Sequence, residues 1–172
     1  MKIETKTERN QWFIVKLLVF SNDKKEILLV KTRHNYWDLP GGHLKFEETP
    51  EAGLAREAKE EIGIDVKIER LSSIHTIILD LIDRPNPEMR QYFILVFTGS
   101  IVDAEADIVL ADPEITDYAW FSVQDIVEEK LNDLLVLTKE QILLALEKED
   151  IRANKKFYIK AGELMAYKIV ED

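Results

Sequence analysis

In the stretch Arg56-Glu57-Ala58-Lys59-Glu60-Glu61-Ile62-Gly63, three glutamates recur at i, i+3 and i+4, a spacing that places Glu57, Glu60 and Glu61 on adjoining parts of one helical surface. Like charges at those offsets repel by a few tenths of a kcal/mol per pair on an exposed helix, so the group is mildly costly unless something cationic sits on it. Lys59 points away. Arg56, on the flank of the cluster, can reach Glu57 or Glu60 but brings a single positive charge. A hard divalent cation with oxygen ligands would relieve the repulsion. Most acidic helix faces are simply solvated, and from the helix alone that reading is favoured. The residues upstream change the balance. Gly41-Gly42, followed by a loop with Glu47 and Glu48, brings bare backbone groups and another carboxylate toward the same helix, as a phosphate and metal site requires. Glycine pairs also serve plain turns, so both readings stand at this point.

The elements that must position these groups can be read around them. Thr49 is a suitable N-cap, Pro50 suits the first helical position, Glu51 complements the positive helix start, and Gly63 stands just past the end, which predicts a helix from Pro50 to Ile62. Leu54, Ala55, Ala58 and Ile62 form its packing arc. Ahead of it, the apolar runs Trp12 to Phe20 and Glu26 to Thr32, joined by a polar turn, predict two antiparallel strands of hairpin type. Trp37-Asp-Leu-Pro-Gly-Gly42 reads as an extended segment stopped by a breaker. Further strands are expected within Val66 to Leu81, Arg90 to Phe97 and Tyr118 to Phe121, with a turn at Pro85-Asn-Pro87. Ser122 and Thr138, with Asp125 and Gln141 three residues on, predict N-caps of two C-terminal helices, within a helical extension of about 122–172; the periodicity of residues 155–172 itself settles nothing. The order of elements predicts an α+β sandwich around a mixed sheet.

Composition narrows the chemistry. With 172 residues, 46% of them apolar, the chain suits one domain over 1–172. The absence of cysteine excludes disulfides, thiolate zinc sites and cysteine nucleophiles, and suits a reducing compartment, the cytoplasm. A formal charge of -10 argues against a protein that grips long nucleic acid through a basic face. It would also repel a small phosphorylated substrate unless bound cations reverse the local field. The run Trp12 to Phe20 is too short to span a bilayer and is broken by Lys16, so neither a membrane span nor a signal peptide is expected.

From Gly42 the chain reads Gly42, five residues, Glu48, seven residues, Arg56-Glu57-Ala58, Lys59, Glu60-Glu61, Ile62, Gly63-Ile64, and this resembles the Nudix box (42–64) at every charged and glycine position. Alanine at 58 is small for a position where the family has an aliphatic residue. The resemblance implies the Nudix fold, an α/β/α sandwich around a mixed β-sheet, here with additional C-terminal helices. It also implies a pyrophosphohydrolase that uses Mg2+ or Mn2+ to cleave a diphosphate linkage in a nucleotide-type small molecule. It assigns Glu57, Glu60 and Glu61 to the metal, with the Gly41 carbonyl as a further ligand. Arg56 would orient Glu57, and Glu48 would support the metal shell. Relatives often carry an acidic residue outside the box, in a loop before an aromatic strand; Glu114 fills that place, with Asp112 as its fallback. Glu57 is the first choice of general base, activating a water for attack at phosphorus.

Tyr36 and Trp37 could stack on a nucleobase, although burial in the core is the commoner fate of such a tryptophan. Arg33 and Arg90 are candidate phosphate contacts, His43 beside Gly42 is a weaker one, and His34 and His75 read as surface or packing residues. The markers that separate ADP-ribose and dinucleoside-polyphosphate hydrolases downstream of the box are absent at Leu79 to Ile82, so no substrate follows. The alternative is a non-catalytic Nudix domain that senses a nucleotide or mediates assembly. The C-terminal extension could pack on the domain, form a homodimer face or wall the substrate site.

Overall fold

The computed structural model describes residues 8–81, 88–146, 154–160 and 163–170. In chain order the elements are β1 (Glu8–Val19), β2 (Glu26–Thr32), β3 (Trp37–Asp38), α1 (Pro50–Ile62), β4 (Val66–Asp80), β5 (Glu88–Ile101), β6 (Ile115–Ser122), α2 (Val123–Val127), α3 (Val136–Leu146), β7 (Asn154–Lys160) and β8 (Glu163–Val170). Strands in the order β1-β5-β4-β7-β8 form a mixed sheet, and β3-β2-β6 form a smaller antiparallel one. No helix among the described residues is long and apolar enough to cross a membrane.

The predicted hairpin of the first two strands closes only at its turn. Ser21 N donates to Glu26 O at 3.0 Å and Phe20 bridges Ile27, after which β1 leaves to pair in parallel with β5 while β2 pairs with β6 and β3. The reason lies in the runs themselves. Leu17 and Leu18, and likewise Leu28 and Leu29, are completely buried although each pair points to opposite faces of its strand. Such strands need cover on both sides, which a two-stranded ribbon cannot give.

Two cores supply that cover. Val15, Leu17, Leu28 and Val30 pack with Leu54 and Ile62 of α1 on one side, while Leu18, Ile27 and Leu29 pack with Ile126 of α2 and Ile142 and Ala145 of α3 on the other. The result is the predicted α/β/α layering around strands.

Helix α1 has the predicted bounds: Thr49 accepts from Ala52 N at 3.2 Å, Pro50 opens it, and Gly63 at φ 72° closes it by donating to Lys59 O at 3.2 Å. Its packing stripe is rotated from the expected one, since Gly53, Leu54, Ala58, Glu61 and Ile62 are buried and Ala55 is exposed. That rotation turns Glu61 inward.

Two C-terminal expectations fail. Thr138 is not an N-cap: α3 already begins at Val136, and the Thr138 hydroxyl is drawn instead to Asp38. Ser122 does precede α2 but makes no side-chain capping bond. The extension is not helical throughout, because residues 154–160 and 163–170 are strands, with β7 lying parallel to β4 and β8 antiparallel to β7. Continuing a β-branched and aromatic sheet edge won over helix propensity there. The turn expected at Pro85-Asn-Pro87 lies outside the described residues.

Candidate functional site

A cleft of about 680 Å³ runs between the start of the large sheet, α1, the loop before β6 and α3. Its polar end is built on the turn that follows β3. Val15 N donates to Gly42 O and Leu17 N to Pro40 O, both at 2.9 Å, which lays residues 40–42 along the free edge of β1. Gly41 sits at φ +126° with its α-carbon against β1, where a Cβ would come within 2.2 Å of Val15 O. Only glycine fits such a place. A Cβ on Gly42 would meet the Glu57 carboxylate at 2.8 Å, so the second glycine makes room for a functional side chain.

Arg56 is the hub of the charged groups. It grips Glu48 with two bonds, Nε to Oε1 at 2.7 Å and Nη2 to Oε2 at 3.0 Å, and Nη1 donates to Glu57 Oε1 at 2.7 Å and to Glu60 Oε2 at 2.8 Å. Nη2 also donates to the His43 carbonyl at 3.1 Å. The planar guanidinium can serve so many acceptors because its donors form a fixed fork. The Arg56 bonds, with the Lys45 backbone N–H, hold the Glu48 carboxyl at a pKa of about 2. Arg56 likewise lowers that of Glu60, and Glu48 first among its partners raises that of Arg56.

Glu61 behaves differently. It is buried, and Gly41 N donates to its Oε2 at 2.8 Å. Burial pushes its carboxyl up to about 7, with Glu57 and Asp38 adding to the rise against the pull of Lys16 and the Gly41 N–H. The three glutamates are therefore graded: Glu61 inside, Glu57 at the wall with a side chain 13% exposed, and Glu60 outermost at 48%.

Lys16 and Asp38 were not singled out by sequence, yet both line the cleft. Lys16 Nζ donates to Asp38 Oδ2 at 2.7 Å, to Leu39 O at 2.9 Å and to Gly41 O at 3.0 Å. Burial opposes its charge, but Asp38, Glu61 and Glu57 outweigh that and raise its pKa. Its signal in the sequence was a lysine in the middle of an apolar strand, a position that demands a buried partner.

The other expected residues divide. Arg33, Tyr36, His34, His43, Asp112 and Glu114 line the cleft; Arg33 Nη1 lies 3.3 Å from Glu114 Oε1, and Asp112 Oδ1 accepts from Glu114 N at 2.7 Å. Trp37 does not line it: the ring packs edge-on against Phe121, at 4.7 Å between centroids, as part of the core. Arg90 lies outside the cleft, paired with Glu88 at 2.7 Å. His75 is buried with Nε2 2.9 Å from Ser73 Oγ.

Whether these groups suit a divalent cation can be judged from the donors. Among the described residues no three acidic or histidine side chains converge as a ready-made metal cage, because Arg56 draws Glu57 and Glu60 to itself. Yet Glu57 Oε2 and Glu61 Oε1, one helical turn apart, receive no donor among the described residues. Six carboxylates and four cationic side chains line the cleft. Hard oxygen donors with an excess of negative charge fit Mg2+ or Mn2+ in kind.

A NUDIX domain model matches residues 14–146. The chain belongs to the Nudix family. Strands β7 and β8 lie beyond the matched residues. The chain is similar to a MutT-like protein of Streptomyces ambofaciens, 38% identical over 58 residues, covering 34% of this chain and 38% of that protein. It is also similar to an 8-oxo-dGTP diphosphatase of Proteus vulgaris, 47% identical over 49 residues, covering 28% of this chain and 42% of the relative. The chain thus spans about two-fifths of the length of these relatives. A MutT protein structure from Bacillus halodurans shares the fold, with a TM-score of 0.69 at 22% identity over 92% of this chain and 97% of that one.

The Glu61 carboxyl carries a pH consequence. Its folded pKa of about 7 stands above the ordinary 4.5, so between those values the native state holds more protons than the unfolded chain. Stability of the metal-free Nudix domain should then fall as pH rises through that window, by roughly 3 kcal/mol at most. Thermal melts from pH 4.5 to 8 with chelator present should show the fall in wild type and a flatter profile in Glu61→Gln; equal slopes would remove Glu61 as its source.

Proposed function

We propose that this Nudix protein is a Mg2+- or Mn2+-dependent pyrophosphohydrolase that cuts the diphosphate linkage of a nucleoside diphosphate joined to another moiety. The observation that carries the reading is the pair of donor-free carboxylate oxygens on Glu57 and Glu61, beside the Gly41-Gly42 turn, at the polar end of a cleft large enough for a nucleotide. Glu57, Glu60, Glu61 and the Gly41 carbonyl would hold the metal. A bound divalent ion supplies Lewis-acid neutralisation of the diphosphate oxygens.

The remaining work falls to the chain's own groups. Glu57 takes the proton of the attacking water, and Arg56 keeps its carboxylate turned into the cleft. Glu48 acts at one remove, since both its oxygens are spent on Arg56 and it serves to hold the guanidinium. Arg33 meets a phosphate once it leaves Glu114, which frees Glu114 as a second acid beside the site. Tyr36, half exposed at the rim, offers its ring to a base. The family resemblance also suits a protein acting on small molecules in the cytoplasm rather than on long nucleic acid or membranes.

A phosphate-release screen with Mg2+ over nucleoside triphosphates, nucleotide sugars, ADP-ribose and dinucleoside polyphosphates tests the proposal. At least one class should turn over at a rate abolished by chelation. A blank panel with nucleotide binding retained would instead establish the sensing, non-catalytic role.

A further inference from the structure

We propose that Lys16 is a positioning residue for the cation site, a buried cross-link that sets the Gly41 carbonyl and N–H in place before any metal arrives. The inference rests on the reading that Glu57, Glu61 and the Gly41 carbonyl take a divalent ion. Its basis is geometric. Lys16 stands in β1 between Val15 and Leu17, both fully buried, with its own side chain 14% exposed. All three of its N–H donors are spent, on Asp38 Oδ2, Leu39 O and Gly41 O.

A charge in that position is expensive to desolvate, and an apolar side chain of similar volume would pack there at no such cost. What the lysine adds is control of one turn. Backbone bonds already lay Pro40 and Gly42 on β1, but they leave the carbonyls of Leu39 and Gly41 unfixed, and Lys16 takes both. The N–H of Gly41 is then presented to Glu61 Oε2, so the lysine also sets the buried glutamate.

Asp38 extends the device to α3. Its Oδ1 accepts from Leu39 N at 2.8 Å and from Thr138 Oγ1 at 2.5 Å, while Oδ2 holds Lys16. Thr138 belongs to α3, which also lines the cleft. One ion pair therefore ties β1, the glycine turn and α3 together around the carboxylates. The Gly41 carbonyl keeps a second lone pair for a metal while accepting from Lys16.

Charge and positioning predict opposite outcomes, which makes the idea testable. A cation beside Glu57 and Glu61 repels a second cation, so at a pH high enough to keep Glu61 ionised with or without Lys16, loss of the lysine's field alone would tighten divalent binding. If it acts by fixing the turn, removing it weakens binding despite the more negative field. Mn2+ titrated into the metal-free full chain, followed by loss of the free-ion EPR signal, reads this directly. Lys16→Met should bind Mn2+ at least about tenfold more weakly than wild type. The concentration of Mg2+ giving half-maximal turnover should rise by a similar factor, with a smaller change in kcat at saturating metal.

Unchanged or tighter Mn2+ binding in a folded Lys16→Met overturns the inference and leaves the metal reading standing. Wild-type protein that takes up no Mn2+ overturns both. Should Lys16→Met fail to fold, the same titration on Lys16→Gln decides, since the amide removes the same positive charge but is too short to hold Asp38, Leu39 O and Gly41 O together; weaker binding is expected, and unchanged or tighter binding is the overturning result.

Discussion

Glu57→Gln should lower kcat by about a thousandfold or more at saturating Mg2+ while Tm stays close to that of wild type. The two halves of that expectation have separate grounds. The amide oxygen of glutamine can still accept from Arg56 Nη1, which now bonds Glu57 Oε1 at 2.7 Å, and Gly42 leaves the same room for either side chain. The fold should not register the change. Chemistry should, because an amide neither takes a proton from water nor adds negative charge for a cation, and loss of a general base alone is worth about 10²–10⁴-fold. Glu60→Gln is the comparison: Glu60 is half exposed and shared between Arg56 and Lys45, so its replacement should raise the Mg2+ concentration needed for half-maximal turnover more than it lowers kcat at saturating metal. Steady-state rates on whichever substrate the screen identifies, beside thermal melts, check both. A Glu57→Gln rate within tenfold of wild type would take Glu57 out of the base role.

The parts of this site that the sequence exposes are those fixed by local periodicity. Helix α1, its caps and the placing of Glu57, Glu60 and Glu61 on adjoining faces follow from spacing within 13 residues. What escaped was decided by partners far along the chain. That Glu61 turns inward depends on which side of α1 meets the Leu28 and Val30 face of β2, and spacing alone leaves the rotation free by one residue. Lys16 and Asp38 are 22 positions apart, and Thr138 and Asp38 are 100 apart, so neither pairing has a local signature. The first two strands depart from a hairpin for a related reason: an apolar run joined by a turn fixes antiparallel direction at the turn itself, but where each strand finds its long-range neighbour is set by burial of both faces. For Trp37 the commoner fate, packing in the core, is the one the structure gives: its ring lies against Phe121 across the small sheet.

Arg56 should prove to be the group whose loss does most damage to architecture and chemistry together. In Arg56→Ala, Glu48, Glu57 and Glu60 lose their common partner and face one another, and the His43 carbonyl loses its donor. Removing several partly buried charge-assisted bonds in one step should cost roughly 2 kcal/mol, a Tm fall of about 4–8 °C for a chain of this size, with turnover dropping further because Glu57 is no longer held. Arg56→Lys should recover only part of this, since one ammonium cannot span Glu48 in a two-bond grip and still reach Glu57 and Glu60. Acid supplies the decisive check. The Glu48 carboxyl is held at about 2 by Arg56 against an ordinary 4.5, so the stability it contributes is present above 4.5 and is lost as pH falls toward 2. The gap in unfolding free energy between wild type and Arg56→Ala, measured by urea titration, should therefore be full at pH 7 and narrow between pH 4.5 and about 2. A gap that stays constant over that range would mean that Arg56 acts by packing of its aliphatic stem rather than by gathering the carboxylates.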